Sequence, residues 1–225
     1  MTELDLLAVK MQIADASRDL LSSGLSHGKS GNISVRAGRG ILVTPTGVAA
    51  EDLSPDDISY IGYNGQTIDG LKPSSEWYMH AAVYASRADV QAIVHCHSRF
   101  STLLACAGKN IPAVHYMVAQ LGGSEIPLAP YARFGSKALA NHCLNALGMD
   151  YKACLLANHG QIALGKNLSD AFANAQEVEQ LAAVYYGTLS IGGPKLLSDT
   201  QMQEALEAFA DYGQQNRTLQ GSEPI

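Results

Sequence analysis

The chain has 225 residues, of which 47% are hydrophobic and only 16% charged, with a formal net charge of −6. That is enough apolar material for the core of one large domain, and an acidic chain without a run of Lys or Arg is a poor partner for nucleic acid. No stretch approaches the ~18 consecutive apolar residues of a membrane span, and the N-terminus lacks the basic start and apolar run of a secretory leader, so a cytoplasmic protein with no membrane partner is expected.

Residues 3–23 have the pattern of an amphipathic helix, with Gly24 as its C-cap. "GKSGNISVR" is a glycine-bounded loop entering a strand, and "GILVTPTG" is a second strand ending in a Pro/Gly turn. "DISYIGYNGQTIDG" carries Asn-Gly between alternating runs, a hairpin signal. Pro73 with Ser74-Ser75 opens a helix that runs to Arg87 and holds Glu76 in its first turn. "VQAIVHCH" is a strand, followed by a helix over 101–107. The segment from Ile111 to Ser136 is a mixture of strand and loop, "SKALANHCLNALG" is helical, and "KACLLANHG" and "QIALG" are strands joined by a turn.

A long helix starts at Ser169, and Ser198 caps the last one. No repeat or linker interrupts the chain and there is no βαβα alternation, so a single α/β domain with a mixed or antiparallel sheet is expected over residues 1–220. Residues 221–225 are expected to be a disordered tail. The low charge points to an outer surface partly covered by copies of the chain itself. Cys96, Cys106, Cys143 and Cys154 sit in apolar segments without CxxC spacing, which predicts free, buried thiols.

His95 and His97 close the strand "AIVHCH". Residues two apart on a strand share a face, so both imidazoles aim at one spot while Cys96 points away. An HxH pair alone reads equally well as two buried, satisfied histidines or as metal ligands. His159, at the end of another strand in "LLANHG", and Glu76 enlarge the set. Glu76 also has a plainer use, since a carboxylate near a helix N-terminus is worth ~0.3–1 kcal/mol. Three imidazoles and a carboxylate form a borderline-soft N/O set suited to Zn²⁺. His27, His80, His115 and His142 belong to no motif and are read as structural or as supports for the ligands.

Three segments suit a small anion. These are Ser30-Gly31-Asn32, the turn Thr44–Gly47, and Ser74-Ser75 at a helix N-terminus. Each is explained singly by turn chemistry. Around one metal, and without a Walker or dinucleotide fingerprint, they point to a phosphorylated small molecule rather than a nucleotide.

The segments "SGNIS", "TPTG", "PSSEW", "HCHS", "IPAVHYM", "YARFGS" and "NHG", in this order over almost the whole chain, resemble the class II aldolase/adducin family, and within it most closely the L-fuculose-1-phosphate aldolases. The resemblance implies a single α/β/α-type domain with a mostly antiparallel central sheet, assembled as a C4 homotetramer with active sites at subunit interfaces. It implies one Zn²⁺, or another divalent metal, per chain, held by Glu76, His95, His97 and His159. Phosphate binding falls to Asn32, Thr46, Gly47, Ser74 and Ser75. Tyr116 is implied as a catalytic group supplied by the neighbouring subunit, Tyr212 as a second tyrosine closing over the aldehyde side, and Phe134 as lining that side.

The implied reaction cleaves a ketose 1-phosphate between C3 and C4 to dihydroxyacetone phosphate and an aldehyde. Tyr116 takes the proton of the C4 hydroxyl and Glu76 returns one to C3. Epimerases of the family carry Asp where Glu76 stands, other members decarboxylate or dehydrate sugar phosphates, and adducin-like heads lack the three histidines. Lys29, just before "SGN", reads as a surface lysine or as a point charge over the phosphate.

Overall fold

The computed structural model describes residues 2–211. Helix α1 (Glu3–Ser22) opens on a capping box: the Thr2 hydroxyl accepts from the Asp5 N–H, and the Asp5 carboxylate accepts from the Thr2 N–H. Then come strands β1 (Asn32–Ala37), β2 (Gly40–Val43), β3 (Ser59–Gly62) and β4 (Thr67–Asp69), each antiparallel to the one before. The Asn64-Gly65 turn joins β3 to β4 as the hairpin signal predicts. Helix α2 (Trp77–Ser86), strand β5 (Ala92–Cys96) and helix α3 (Arg99–Cys106) follow, then a 3-10 helix over Tyr116–Leu121 and the two-residue strand β6 (Leu128–Ala129). The remainder is α4 (Lys137–Leu147), β7 (Ala153–Leu156), β8 (Gly160–Gly165), α5 (Leu168–Ser190) and α6 (Asp199–Asp211).

All eight strands form one sheet in the order β4-β3-β2-β1-β5-β8-β7-β6, and only the β6–β7 step is parallel. Helices cover both faces. Alternation along β5 divides the core: Ala92, Val94 and Cys96 pack in the cluster that includes Ile13 of α1, Leu104 of α3 and Val178 of α5, while Ile93 packs with Met79 and Val83 of α2 and Leu139 of α4. His95 therefore faces the α2 side and Cys96 the other. The result is a single α/β domain with a mostly antiparallel central sheet between helical layers, as expected.

Several local expectations are corrected. Helix α2 begins at Trp77, so Glu76 is its N-cap residue rather than part of its first turn. A bridge between Pro45 and Pro73, with the Ser74 N–H donating to the Thr44 carbonyl, keeps the Pro-Ser-Ser segment extended. Helix α3 starts at Arg99, two residues early, because the Glu179 carboxylate of α5 accepts from the Phe100 and Ser101 N–H groups. Helix α5 starts at Leu168, since the Asn167 side chain, not Ser169, accepts from the Asp170 N–H. The segment 111–136 holds little strand: Pro112, Pro127 and Pro130 lack the N–H that a ladder needs. Cys96, Cys143 and Cys154 are buried, but Cys106 at the end of α3 is exposed.

Candidate metal centre and its pocket

β1 and β5 pair with Asn32 opposite His95, and β5 pairs with β8 with His95 opposite Ile162. His97 lies just past the end of β5. His159 closes the turn between β7 and β8, where Asn158 adopts a left-handed φ of 55°, a conformation Asn tolerates better than most residues. The ring centroids of His95, His97 and His159 are mutually 4.8–4.9 Å apart, each pair edge-on. His95 Nε2 lies 3.1 Å from His97 Nε2 and 3.1 Å from Glu76 Oε2, and His159 Nε2 lies 3.4 Å from Glu76 Oε1. One ligand atom from each of the four residues falls within 4.8 Å of all the others.

This donor set fits a divalent cation. His95 is wholly buried, and its Nδ1–H donates to the Gln161 carbonyl at 2.7 Å, which leaves Nε2 bare and aimed at the cluster in the neutral ring. The His97 Nε2, 3.1 Å away, can meet that lone pair with its own N–H, or a cation bound by both nitrogens can take the place of that proton. Glu76 Oε1 is buried without a hydrogen-bond partner, although a lone carboxylate oxygen out of water is costly.

The protonation preferences of His97, His159 and Glu76 fit ligand roles. Burial, then repulsion from His95, pushes His97 down to about 3 and His159 down to about 4, so both rings are neutral near pH 7. Burial opposes a charge on Glu76, but its contacts with His95, and after them His159 and Asn32, outweigh this and hold it well below the usual carboxylate range. Burial likewise works against a proton on His95, and the Glu76 charge and hydrogen bond more than offset it, so its affinity for a proton is raised.

The cluster opens into a pocket of about 320 Å³. One wall consists of Gly31, Asn32, Thr46, Gly47, Ser74 and Ser75, brought together because the Pro45–Pro73 bridge ties the two loops. A Cβ on Gly31, which has φ +84°, would lie 2.4 Å from Ser26 Oγ and 3.0 Å from the His95 carbonyl; only glycine lets this loop approach the metal strand. Lys29 sits on the rim, where its ammonium donates to the Gly47 carbonyl at 2.8 Å. Tyr131 and Phe134, both exposed, also line the pocket.

Tyr116 is not in this pocket. It starts the 3-10 helix, is 54% exposed, and stacks on Phe209 of α6. Tyr212 lies outside the described residues. Tyr131 and Asn158 line the pocket without having been singled out from sequence, although both stand beside motif residues, in "YARFG" and "NHG". His80, which matched no motif, is fully buried and hydrogen-bonded to Asn32. No helix among the described residues is long and apolar enough to cross a membrane.

Comparison with known proteins places this geometry. The family model described as the Class II Aldolase and Adducin N-terminal domain matches residues 11–186. A Rhodospirillum rubrum protein named 5-methylthioribulose-1-phosphate/5-deoxyribulose-1-phosphate aldolase is 47% identical over 207 residues, covering 92% of this chain and 93% of its own. An Escherichia coli K12 protein named L-fuculose phosphate aldolase is 45% identical over 203 residues, covering 90% and 94%. A solved structure titled L-fuculose 1-phosphate aldolase superposes with a TM-score of 0.86 at 37% identity, covering 90% and 96%. With the fold, nearly the full length and the sequence in agreement, the chain belongs to the class II aldolase/adducin family, among its aldolases, which are lyases.

Proposed function

We propose that the protein is a zinc-dependent aldolase that reversibly cleaves a ketose 1-phosphate to dihydroxyacetone phosphate and an aldehyde. The observation that carries this reading is the four-residue ligand cluster opening directly into a pocket lined by hydroxyl and glycine residues and by the aromatic rings of Tyr131 and Phe134. A divalent cation held there supplies Lewis-acid stabilisation of charge on substrate oxygens. The chain's own groups do the rest. Ser74 and Ser75, just ahead of the α2 N-terminus, and the Thr46-Gly47 turn hold the phosphate, with the free N–H of the Asn32 amide and Lys29 beside them. Glu76 carries the proton to and from C3. Phe134 and Tyr131 pack against the aldehyde portion.

Tyr116 takes the proton of the C4 hydroxyl from a neighbouring subunit, a role consistent with its exposure and its distance from its own chain's pocket. The enzyme is accordingly a homotetramer with interface sites, working in the cytoplasm, and Tyr212 closes the aldehyde side. The similarity to proteins named for 5-methylthio- and 5-deoxyribulose 1-phosphate and for L-fuculose phosphate supports a substrate of this class, whose aldehydes are small and partly apolar.

Two measurements test the reading. Elemental analysis should find about one zinc per chain, and ketose 1-phosphates should release dihydroxyacetone phosphate in a coupled assay that chelation abolishes. Activity that survives chelation ends the metal reading; an epimerised, decarboxylated or dehydrated product in place of dihydroxyacetone phosphate moves the chain to another reaction of its family. Glu76→Gln should then lose solvent hydrogen exchange into dihydroxyacetone phosphate, and exchange at the wild-type rate removes Glu76 from the proton transfer.

A further inference from the structure

Behind Glu76 and Asn32 runs a buried ladder whose further members, His80, Ser34 and Tyr84, the proposed reaction does not use. Glu76, His80 and Tyr84 lie four residues apart along one face of the α2 segment, and Asn32 and Ser34 lie two apart on the facing side of β1. Four helical residues advance about 6 Å and two strand residues about 6.6 Å, so the two rows keep step and interlock. Asn32 Nδ2 donates to Glu76 Oε2 at 3.1 Å, and Asn32 Oδ1 meets His80 Nε2 at 2.5 Å. His80 Nδ1 meets Ser34 Oγ at 2.7 Å, and the Tyr84 hydroxyl donates to the Ser34 carbonyl at 3.0 Å while lying 2.9 Å from Ser34 Oγ. His80, Ser34 and Tyr84 are buried, and Asn32 is nearly so.

The direction of every proton in this ladder follows from its first member. Asn32 turns its NH₂ to Glu76 Oε2, which leaves the amide oxygen, an acceptor only, facing His80. His80 must then carry its proton on Nε2. Burial, reinforced by repulsion from His95, pushes its pKa down to about 3, so the ring is neutral and Nδ1 is bare, free to accept from the Ser34 hydroxyl. With the Asn32 amide reversed, its oxygen would sit against Glu76 Oε2, acceptor against acceptor, an arrangement satisfied only by a protonated Glu76. That reversal also requires the other tautomer of His80.

We propose that His80 is a positioning residue: its Nε2–H locks the Asn32 amide with the NH₂ toward Glu76 Oε2, and so keeps Oε1 turned to the imidazoles. This rests on the metal-centre reading above, and it assigns a role to a histidine that touches neither metal nor substrate. Gln at this position can still donate to Asn32 Oδ1. Leu cannot, and leaves a buried amide oxygen unsatisfied and the amide free to turn.

The test is zinc affinity by chelator competition for wild type, His80→Gln and His80→Leu, with fold and assembly checked by circular dichroism and sedimentation. It is joined by ¹⁵N NMR of the His80 ring in the wild-type protein. The expected results are an Nε2–H tautomer, affinity within about three-fold of wild type for His80→Gln, and a loss of about 10- to 100-fold for folded His80→Leu, the usual scale for groups that orient metal ligands. An Nδ1–H tautomer, or equal affinities in the two variants, overturns the proposal. If His80→Leu fails to fold, the tautomer and the His80→Gln affinity decide, a loss beyond ten-fold in His80→Gln counting against it. A wild type that binds no zinc removes the metal reading, while the tautomer still decides whether His80 orients Asn32.

Discussion

Gly160, directly after His159, is a tight joint of the candidate metal centre. A Cβ added there would lie 2.5 Å from the Cys96 carbonyl oxygen and 2.8 Å from His97 Cδ2. Ordinary contact begins at 3.4 Å, so with the Gly160 backbone in place Gly160→Ala requires both the Cys96 carbonyl to retreat by about 0.9 Å and the His97 ring by about 0.6 Å. The backbone oxygen sits in the middle of a sheet and moves only with its neighbours, whereas the ring is half-buried. Overpacking of this kind costs ~1–3 kcal/mol of stability. The larger effect falls on the cation, because ligand distances are held to about ±0.2 Å.

Gly160→Ala should therefore lower the thermal midpoint of the metal-free protein by a few degrees and weaken zinc binding at least ten-fold. Both are read on one preparation, by calorimetry after chelation and by competition with a chromophoric chelator. Gly187→Ala is the control: nothing lies within 4 Å of its added Cβ, it is exposed within α5, and the change should stabilise the helix by up to ~1 kcal/mol without touching zinc affinity. Wild-type zinc affinity in a folded Gly160→Ala variant would refute the reasoning, since it would mean that the strands absorb the methyl group without moving His97.

Acidification offers a second check. The folded pKa of His80, about 3, lies below its unfolded value near 6.5, so its contribution to stability is full above pH 6.5 and is lost as pH falls toward 3. From pH 7 to 5 His80 alone should cost the chelated protein about 2 kcal/mol. In urea unfolding at fixed protomer concentration, His80→Gln should show that much less sensitivity to acid, and identical pH dependence would count against a neutral buried His80. Mixed assemblies of Tyr116→Phe and Glu76→Gln subunits, each inactive alone, should recover activity at interfaces that hold both intact groups; verified mixtures that stay inactive would mean that one chain builds the whole site. Lys29→Ala should raise KM no more than about five-fold and leave kcat unchanged, because the exposed ammonium serves ground and transition states alike. A collapse of kcat would place Lys29 at the reacting carbons instead.

Local chemistry written in the sequence determined a good deal of this protein. The period-2 spacing of His95 and His97 put both rings on one side of β5 with Cys96 on the other, because alternation is a property of the extended backbone itself. Asn64-Gly65 specified its hairpin, and Ser136 and Ser198 their helix caps, through contacts that span only a few residues. What depended on residues distant in the chain was decided by packing. Glu179 moved the start of α3, and the Pro45–Pro73 bridge moved the start of α2, in each case by engaging backbone groups that local propensity leaves free. Tyr116 lies outside its own chain's pocket, stacked on Phe209 of α6, a placement that only the packing of its 3-10 helix on α6 fixes. His80 had no signal of its own in the sequence: four-residue spacing from Glu76 is common to any helix face. Only the pairing of β1 with β5, which sets Asn32 beside His95, and the laying of α2 along β1 at matching rise turned Glu76, Asn32, His80, Ser34 and Tyr84 into a continuous line of hydrogen bonds.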